Sequence, residues 1–469
     1  MSELPQGWTS TTIKELAGTT GLFVDGDWVE SKDQDPDGSI RLLQLADIGD
    51  GAFLDKSNRW INEDAFVRLR CTALTAGDVL VARMPDPLGR ACLMPALEQR
   101  CVTVVDVAAL RVDSENIDNR WVMQTINSPQ VRAEIAAQSS GTTRRRISRG
   151  RLGEMEIPLP PKAEQTRIAN QLDTLLARVQ ACNDRFDAIP ALLKRFRQTV
   201  LDAATTGRLT EDWRGLDELK QDEWETVALQ DVITEMRNGL AQKPTESPPG
   251  SKILRIGAVR SGQLNLDDHR YLVVTDKEAG QYALKQDDLL FTRYNGSLEF
   301  VGVCAALTHD APGYVYPDKL IRVRIRADRA IAKFIEIVFG CRSMRTQVES
   351  FVKSSAGQRG VSGADLKAAK FSLPPITEQT EIVRRVEAMF ALAARIEARC
   401  AAARAQAQRL TPLVLAKAFR GELVPQDPND EPASALLERI ASSNTAMAGK
   451  NKRKVPVAPK ERAQAAINL

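Results

Sequence analysis

The chain has 469 residues, 43% of them hydrophobic and 27% charged, with a formal net charge of +3 at pH 7. These values exclude a wholly disordered protein and an integral membrane protein. The net charge does not indicate nucleic-acid binding, and any such binding would have to come from local basic patches. No stretch approaches the about eighteen consecutive apolar residues of a membrane helix, and the opening MSELPQGWTS lacks the regions of a signal peptide. We therefore expect a soluble, cytoplasmic chain of several domains.

The sequence contains an internal repeat. The segment 159–166 recurs as 373–380, both reading L-P-P-x-x-E-Q-T, and the shift of 214 residues continues without a gap to Gly207 and Gly421. Such self-similarity indicates a duplicated structural unit. Upstream the repeat is looser, with GDVLVAR at 77–83 parallel to DDLLFTR at 287–293. Each half is therefore a globular domain followed by a shared segment.

The globular parts contain short β-branched runs broken by Gly, Pro, Asn and Asp, which predicts β-rich domains. The tail carries the basic stretch KNKRKVPVAPKER, and we expect a short helix followed by disorder there. The predicted divisions are a first globular domain (1–157), a first helix (158–207), a linker (208–221), a second globular domain (222–371), a second helix (372–423) and a C-terminal tail (424–469).

Both shared segments carry apolar residues at a heptad spacing sustained over nearly five heptads, which predicts two long coiled-coil helices. The alternative is a pair of amphipathic helices in an ordinary core. The predicted seam positions are Ile168, Leu172, Leu175, Val179, Cys182, Phe186, Ile189, Leu193, Phe196 and Val200 in the first helix, and Ile382, Val386, Met389, Ala393, Ile396, Cys400, Ala403, Ala407, Leu410 and Val414 in the second.

The predicted fold class is α+β, with two β-rich domains separated by a pair of long antiparallel helices in a pseudo-twofold repeat. If the repeated ends align, facing seam residues have numbers that sum to 582. Leu175 then lies beside Ala407, and Cys182 beside Cys400. The seven cysteines include no C-x-x-C pair, so we expect reduced thiols.

Signatures of catalysis are missing from the sequence. It has no G-x-x-x-x-G-K-[ST] loop for ATP and no Asn-Pro-Pro-aromatic tetrapeptide of amino-methyltransferases. The two histidines, His269 and His309, have no partner at triad or metal-ligand spacing. We therefore expect no catalytic and no metal-binding residue, and a single-chain restriction-methylase is disfavoured.

The order of globular domain, L-P-P-x-x-E-Q helix, globular domain and L-P-P-x-x-E-Q helix resembles the specificity subunits of type I restriction-modification enzymes, and is most similar to their K family (type IA). The first domain, apart from LPQGW at 4–8, matches no pattern of that family, so the part of the DNA target that this domain would recognise stays open. The segments that carry the resemblance are 188–198, 237–240, 289–304, 316–322 and 416–423.

The resemblance implies two target-recognition domains that each read one half of a split site in double-stranded DNA. It also implies two modification subunits that carry S-adenosylmethionine and methylate adenine. Restriction subunits would use ATP and Mg²⁺, so no cofactor belongs to this chain. The competing hypothesis is a non-catalytic coiled-coil scaffold with two protein-binding domains and no role on DNA.

The best DNA-reading candidates of the second domain lie at 292–297. Arg293 suits guanine, Asn295 suits adenine and Tyr294 suits stacking, with Ser297 beside them. The alternative is that Asn295-Gly296 is simply a hairpin turn. Weaker candidates, each of which an ordinary surface residue would also explain, are Arg237, Asn238, Lys243 and Lys319.

A second group of candidates lies at the exit of each domain. Gln358 and Arg359 parallel a run in the first domain that holds five arginines in eight residues, including Arg144, Arg145 and Arg146. Small residues and exposed amides there suit phosphate, and a solvated face is the alternative. In the first domain Arg83 corresponds to Arg293, and Arg90 follows in a Pro-Gly loop.

Overall fold

Two units make up the chain, one of Met1–Asp184 with Arg404–Leu469 and one of Arg185–Ala403. Each unit contains one globular domain and part of both long helices. The computed structural model describes residues 4–85, 87–141, 144–215, 224–355 and 358–451.

In its described residues, the first globular domain has nine strands and four α-helices, and it leads into a 44-residue helix, α5 (Lys162–Thr205). Its strands are β1 (Thr9–Thr12), β2 (Leu22–Asp25), β3 (Ile40–Leu43), β4 (Trp60–Ile61), β5 (Val79–Ala82), β6 (Ala91–Leu93), β7 (Cys101–Thr103), β8 (Val107–Arg111) and β9 (Glu156–Leu159). Its helices are α1 (Glu63–Leu69), α2 (Asn119–Ile126), α3 (Pro129–Gln138) and α4 (Arg149–Gly153).

The second globular domain follows the short helix α6 (Glu211–Arg214). Its strands are β10 (Glu225–Ala228), β11 (Ile233–Asn238), β12 (Ser251–Leu254), β13 (Val259–Arg260), β14 (Gln263–Leu264), β15 (His269–Leu272), β16 (Leu289–Thr292), β17 (Tyr294–Asn295), β18 (Cys304–Ala306), β19 (Tyr314–Val315), β20 (Leu320–Ile325), β21 (Lys353–Ser355), β22 (Gln358–Gly360) and β23 (Lys370–Leu373). The helices are α7 (Asp276–Gln281), α8 (Ala332–Gly340), α9 (Arg342–Phe351) and α10 (Gly363–Lys367), then α11 (Ile376–Ala418) and α12 (Ala433–Asn451).

Three sheets of the first domain recur in the second. The pair β1-β9 recurs as β10-β23, the order β2-β8-β5-β6 as β11-β20-β16-β18, and the order β4-β3-β7 as β15-β12-β19. Both three-stranded sheets contain one parallel pair, β3 with β7 and β12 with β19. The second domain adds the sheets β13-β14 and β17-β22-β21. The predicted fold class, two β-rich domains and two long helices in an internal repeat, is confirmed.

Both domains contain an equivalent ion pair at the beginning of one inner strand of the four-stranded sheet, β5 in the first domain and β16 in the second. Asp78, just before β5, pairs with Arg111 at 2.8 Å, and Asp288, just before β16, pairs with Arg324 at 2.7 Å. The aspartates are almost fully buried, and removing one partner of such a pair leaves a buried charge without compensation. All four residues of each central strand are buried, which explains why their sequences read as continuous apolar runs.

The long helices run antiparallel in both units. Each unit brings the beginning of one helix against the end of the other, which parallel helices cannot do. In the first unit, the core that holds Ile168 and Leu172 of α5 also holds Leu415 and Ala418 of α11. In the second unit, Val200 and Ala204 of α5 share a core with Ile382 and Val386 of α11.

The predicted seam residues are most deeply buried where the long helices pack against the globular domains. Four predicted seam residues, Cys182, Phe196, Ile396 and Leu410, are exposed to solvent, which corrects the prediction for them. An α-helix has 3.6 residues per turn, so a strict 3.5-residue stripe drifts around the helix by about 20° per heptad. The other predicted seam positions are buried or half-buried.

The predicted register of the helix pair is wrong. In the second unit Arg197 of α5 pairs with Glu397 of α11 at 2.8 Å, and these residue numbers sum to 594. A sum of 582 would place residue 385 opposite Arg197, about 18 Å along the helix from Glu397. Aligning the repeated ends was therefore a poor guide to the register, because the contacts of each helix with its own globular domain also set its position.

The tail begins with a longer helix than the sequence predicted. Ala433, Leu436 and Ile440 of α12 are buried in the core of the first unit, so this helix completes the first domain. The sequence predicts disorder from about residue 442, but α12 continues to Asn451, which corrects the prediction for residues 442–451. Residues 452–469 lie outside the described part of the chain. Among the described residues, no helix has the length and apolar character needed to cross a membrane.

Candidate nucleic-acid interface

The repeated L-P-P-x-x-E-Q motif fastens each globular domain to its helix. In the first copy, the buried Glu164 accepts a hydrogen bond of 3.0 Å from the indole nitrogen of Trp8. Gln165 accepts from the backbone nitrogen of Asp118 at 2.9 Å and donates to the carbonyl of Pro160 at 3.0 Å. Burial raises the pKa of the Glu164 carboxyl.

The second copy repeats these contacts. Glu378 accepts from the indole nitrogen of Trp224 at 3.0 Å and also pairs with Arg214. Gln379 accepts from the backbone nitrogen of Ile331 at 2.9 Å and donates to the carbonyls of Arg329 and Pro374. Both glutamates and both glutamines are almost completely buried, so this Glu-Gln pair positions the recognition candidates but does not itself reach solvent. The sequence showed the repeat without showing this role.

In the second domain the structure brings the two groups of candidates together. The backbone nitrogen of Arg293 donates to the carbonyl of Lys319 at 2.8 Å, and its guanidinium lies 4.7 Å from the centre of the Tyr294 ring. Tyr294 and Asn295 form β17, which pairs with Gly360 and Arg359 of β22. The segments 293–297 and 358–359 therefore form one surface.

The Asn295-Gly296 pair is not the turn of a hairpin between neighbouring strands, since β17 pairs with the distant β22. The side-chain oxygen of Asn295 accepts a hydrogen bond of 3.0 Å from the backbone nitrogen of Ser297, which makes an Asx turn. Arg293, Tyr294, Asn295 and Ser297 are half-buried, whereas Gln358 and Arg359 are exposed.

Two of the four weaker candidates of the second domain line a cleft of about 460 Å³. Lys243 and Lys319 line it together with Arg255 and Arg270, which the sequence analysis missed. Asn238 is exposed at the end of β11. Arg237 is held by Glu235 at 2.7 Å and lies over the Tyr282 ring, so it is tied to the domain more than the other candidates.

The structure assigns Arg83 and Arg90 of the first domain to its interior, which corrects their prediction as DNA contacts. Arg83 is 3% exposed and pairs with Asp25 at 2.7 Å. Arg90 is 7% exposed and donates to the carbonyls of Leu45 and Pro87 at 2.7 and 2.8 Å. Burial lowers the pKa of the Arg83 guanidinium. Buried arginines with such partners stabilise a fold and do not reach a ligand.

The arginine run at the exit of the first domain lies at the surface. Arg144 and Arg145 are exposed, and Arg146 is half-buried with Asp106 at 3.4 Å. The backbone nitrogen after this run, that of Ile147, donates to the carbonyl of Arg83, as that of Val361 does to the carbonyl of Arg293. Residues 144–146 therefore occupy the place of 358–360 in the second domain, as the repeat predicted. Residues 142 and 143 of the same run lie outside the described residues.

The histidines and cysteines have structural surroundings. His269 contacts the carbonyl of Leu266 through Nδ1 at 2.8 Å, and His309 contacts the hydroxyl of Thr308 at 3.1 Å. The cysteines are free thiols. Within the described ranges, no three His, Cys, Asp or Glu side chains form a group that could hold a metal ion.

These features define a duplicated α+β protein in which one β-rich domain occurs twice, each time fastened to a long helix by a buried Glu-Gln pair. The chain belongs to the family of the type I restriction modification DNA specificity domain, whose profile matches residues 5–189 and 221–400. The two matched ranges correspond to the two halves of the repeat.

Curated relatives agree with this family. The chain is 45% identical over 339 residues to the EcoKI specificity subunit of Escherichia coli (strain K12), which covers 70% of this chain and 73% of that protein. It is 34% identical over 342 residues to the StySPI specificity subunit of Salmonella potsdam, covering 71% and 73%. It is 32% identical over 393 residues to the EcoBI specificity subunit of Escherichia coli, covering 76% and 78%. The resemblance to the K family is confirmed.

Solved structures share the fold at low sequence identity. A chain from a study of complex assembly and conformational transition of the type I R-M system has a TM-score of 0.62 and 16% identity, covering 90% of this chain and all of that one. The HsdS subunit from Thermoanaerobacter tengcongensis has a TM-score of 0.58 and 17% identity, covering 90% and 98%. The duplicated architecture is therefore shared at identities too low to align single site residues.

Proposed function

We propose that this chain is the DNA sequence-recognition subunit of a type I restriction-modification complex. It binds a bipartite, asymmetric target and positions the subunits that methylate adenine and restrict DNA. The observation that carries this proposal is a surface segment that occupies the same place in both domains, residues 144–146 in one and 358–359 in the other. It supplies three arginines in the first domain and Arg359 in the second. A duplicated protein with antiparallel helices suits two half-sites that face opposite ways.

The second domain reads its half-site through the surface of Arg293, Tyr294 and Asn295. Arginine bonds the N7 and O6 of guanine, and asparagine bonds adenine. Tyr294 holds the Arg293 guanidinium over its ring, which limits the orientations that the arginine must lose on binding. Gln358 and Arg359 lie beside Asn295 across the β17-β22 pair, where they extend the same contact.

The first domain reads its half-site differently. Its counterpart of Arg293 is the buried Arg83, so base contacts come from other residues. Arg144, Arg145 and Arg146 contact the phosphate backbone, which fixes the position of the domain without reading sequence. Different residues at equivalent places give the two domains different half-sites, as an asymmetric target requires.

The chemistry belongs to partners that this chain arranges in the cytoplasm. Two modification subunits carry S-adenosylmethionine and extrude the target adenine into their own pockets. Restriction subunits use ATP and Mg²⁺. The division into 1–157, 158–207, 208–221, 222–371, 372–423 and 424–469 assigns recognition to the first and fourth segments. The helical second and fifth segments set the distance between half-sites.

Filter binding with duplex DNA, with and without the modification subunit, tests this proposal. We expect the complex of both subunits to retain a duplex that contains its target at salt concentrations where it releases a random duplex. The scaffold hypothesis predicts no retention of either duplex in either condition, and that result would overturn the proposal.

A further inference from the structure

Equivalent clefts of the two globular domains carry opposite charge. The first-domain cleft has a volume of about 440 Å³ and is lined by 27–30, 44–46 and 104–106. The second-domain cleft has a volume of about 460 Å³ and is lined by 240–244, 253–256, Arg270 and 317–319.

Backbone contacts establish that these clefts occupy the same place in the repeat. Asp27 bridges Val104 as Leu240 bridges Pro317, both in the parallel sense. The backbone nitrogen of Arg83 donates to the carbonyl of Asp106 at 2.8 Å, and that of Arg293 donates to the carbonyl of Lys319 at the same distance. Asp106 and Lys319 are therefore equivalent residues of opposite charge.

Of the described residues that line the basic cleft, four are basic, Lys243, Arg255, Arg270 and Lys319, and one has a carboxylate, Asp318. Of the ten described residues that line the acidic cleft, three have a carboxylate, Asp27, Glu30 and Asp106, and none is Lys or Arg.

The ion pairs formed by the residues that line each cleft do not remove this difference in charge. In the second domain, Glu246 pairs with Arg255 and Arg270 at 2.7 Å each, and Asp268 lies 3.8 Å from Arg255. Among the described residues, no carboxylate lies within ion-pair distance of Lys243 or Lys319.

In the first domain, Lys32 pairs with Glu30 at 2.8 Å, and Arg146 pairs with Asp106 at 3.4 Å. The second-domain cleft keeps an excess of positive charge and the first-domain cleft an excess of negative charge.

We propose that the second-domain cleft is a phosphodiester-binding site for the DNA backbone, formed by Lys243, Arg255, Arg270 and Lys319, and that its first-domain counterpart has no such role. This inference rests on the proposed function. The backbone contact between Arg293 and Lys319 makes the cleft continuous with the base-reading surface, so a strand read by Arg293 passes it.

The two domains therefore contribute unequally to the electrostatic part of DNA binding. The second domain holds phosphate on both sides of its reading surface, at the cleft and at Arg359. The first domain holds phosphate only through its arginine run, because like charges across its cleft repel the backbone. Binding at the second half-site contributes the larger part of the salt-dependent affinity.

The test measures binding of the full chain, with its modification subunit, to a random duplex over a range of salt concentrations. Each lysine that contacts a phosphate contributes about 0.9 to the slope of log affinity against log salt. We expect Lys243→Ala with Lys319→Ala to lower the slope by about 2. The affinity ratio of wild type to this variant then shrinks by about 12-fold between 50 and 200 mM salt.

Lys367→Ala with Lys370→Ala is the matched control, since it removes the same charge from exposed lysines on α10 and β23 of the same domain. This control is expected to keep the wild-type slope. In the first domain, Asp27→Asn with Glu30→Gln is expected to raise affinity for the random duplex or leave it unchanged.

The outcomes separate this inference from the proposed function. A wild-type slope in the Lys243 and Lys319 variant, with DNA still bound, overturns the cleft assignment and leaves the proposed function standing. A loss of affinity on removing the first-domain carboxylates overturns the inferred asymmetry. Failure of the wild-type complex to bind any duplex overturns the proposed function itself.

Discussion

Substituting Gln379 by alanine tests how the L-P-P-x-x-E-Q motif fastens a domain to its helix. The side chain is fully buried, and its loss leaves three backbone groups without partners: the amide of Ile331 and the carbonyls of Arg329 and Pro374, at 2.8 to 3.0 Å. At a net contribution of about 1 kcal/mol for each hydrogen bond, the substitution costs about 3 kcal/mol. The same substitution at Gln165 breaks two bonds and costs about 2 kcal/mol.

Hydrogen exchange measured by mass spectrometry resolves this effect within each unit. Gln379→Ala is expected to accelerate exchange of the Ile331 amide by about 100-fold, since each 1.4 kcal/mol corresponds to a factor of ten. The amide of Asp118 in the first unit is expected to keep its wild-type rate. Gln165→Ala is expected to show the reverse pattern, and the exposed Thr377→Ala serves as the control. Unchanged exchange at Ile331 in Gln379→Ala would refute this account of the motif.

Four further substitutions test a structural residue, a base-reading residue, a backbone contact and a buried carboxyl. Arg83→Ala is expected to destabilise the first domain by about 2 kcal/mol without changing the methylated sequence, because it removes a buried guanidinium and its charged hydrogen bond to the half-buried Asp25. A thermal melt checks the first point, and a changed target with unchanged stability would contradict it. Arg293→Ala is expected to cost about 1–3 kcal/mol of discrimination between target and random duplex, whereas Arg144→Ala is expected to weaken both equally and lower the salt slope by about 1. Equal losses for Arg293→Ala would assign it to the backbone. Burial raises the pKa of Asp27 to about 6, above the value of about 3.9 for an unfolded aspartate, so the protonated carboxyl is favoured in the folded domain. The wild type is therefore expected to lose stability relative to Asp27→Asn as the pH rises from about 4 to 6, and melts that keep a constant difference across this range would disprove the assignment.

The repeat, the fold class and the long helices could be predicted because they depend on patterns that are local in sequence. Heptad spacing and the duplicated L-P-P-x-x-E-Q motif are visible without knowing which residues meet in space. The register of the helices could not be predicted, because contacts such as Arg197 with Glu397 involve residues 200 positions apart.

Arg83 and Arg293 show why single site residues are harder to predict. They occupy equivalent places after β5 and β16, yet Arg83 is buried against Asp25, whereas Arg293 stacks on its neighbour Tyr294. The difference depends on the neighbouring strand, since the residue that ends β2 is Asp25 and the residue that ends β11 is Asn238. Only the pairing of strands brings these positions together.

Only two of the four basic residues of the cleft could be predicted from the sequence. Lys243 and Lys319 were weak candidates because each is isolated along the chain, and Arg255 and Arg270 were missed. Arg270 lies on β15, whereas Lys243, Arg255 and Lys319 lie outside the strands, so only the folded domain brings the four residues together. The repeat also places residues 43–48 (LQLADI) opposite 254–259 (LRIGAV), so that Gln44 corresponds to Arg255. This difference is a sign in the sequence that the two clefts differ in charge.

The central claim is that two globular domains read separate halves of one target. Its most direct test is sequencing of methylated adenines in a strain that expresses this chain with its modification subunits. The test compares the native chain with one whose residues 1–157 come from another family member. The account predicts that the exchange changes one half of the methylated sequence and leaves the half that the second domain reads unchanged. A change in both halves, or in neither, would contradict it.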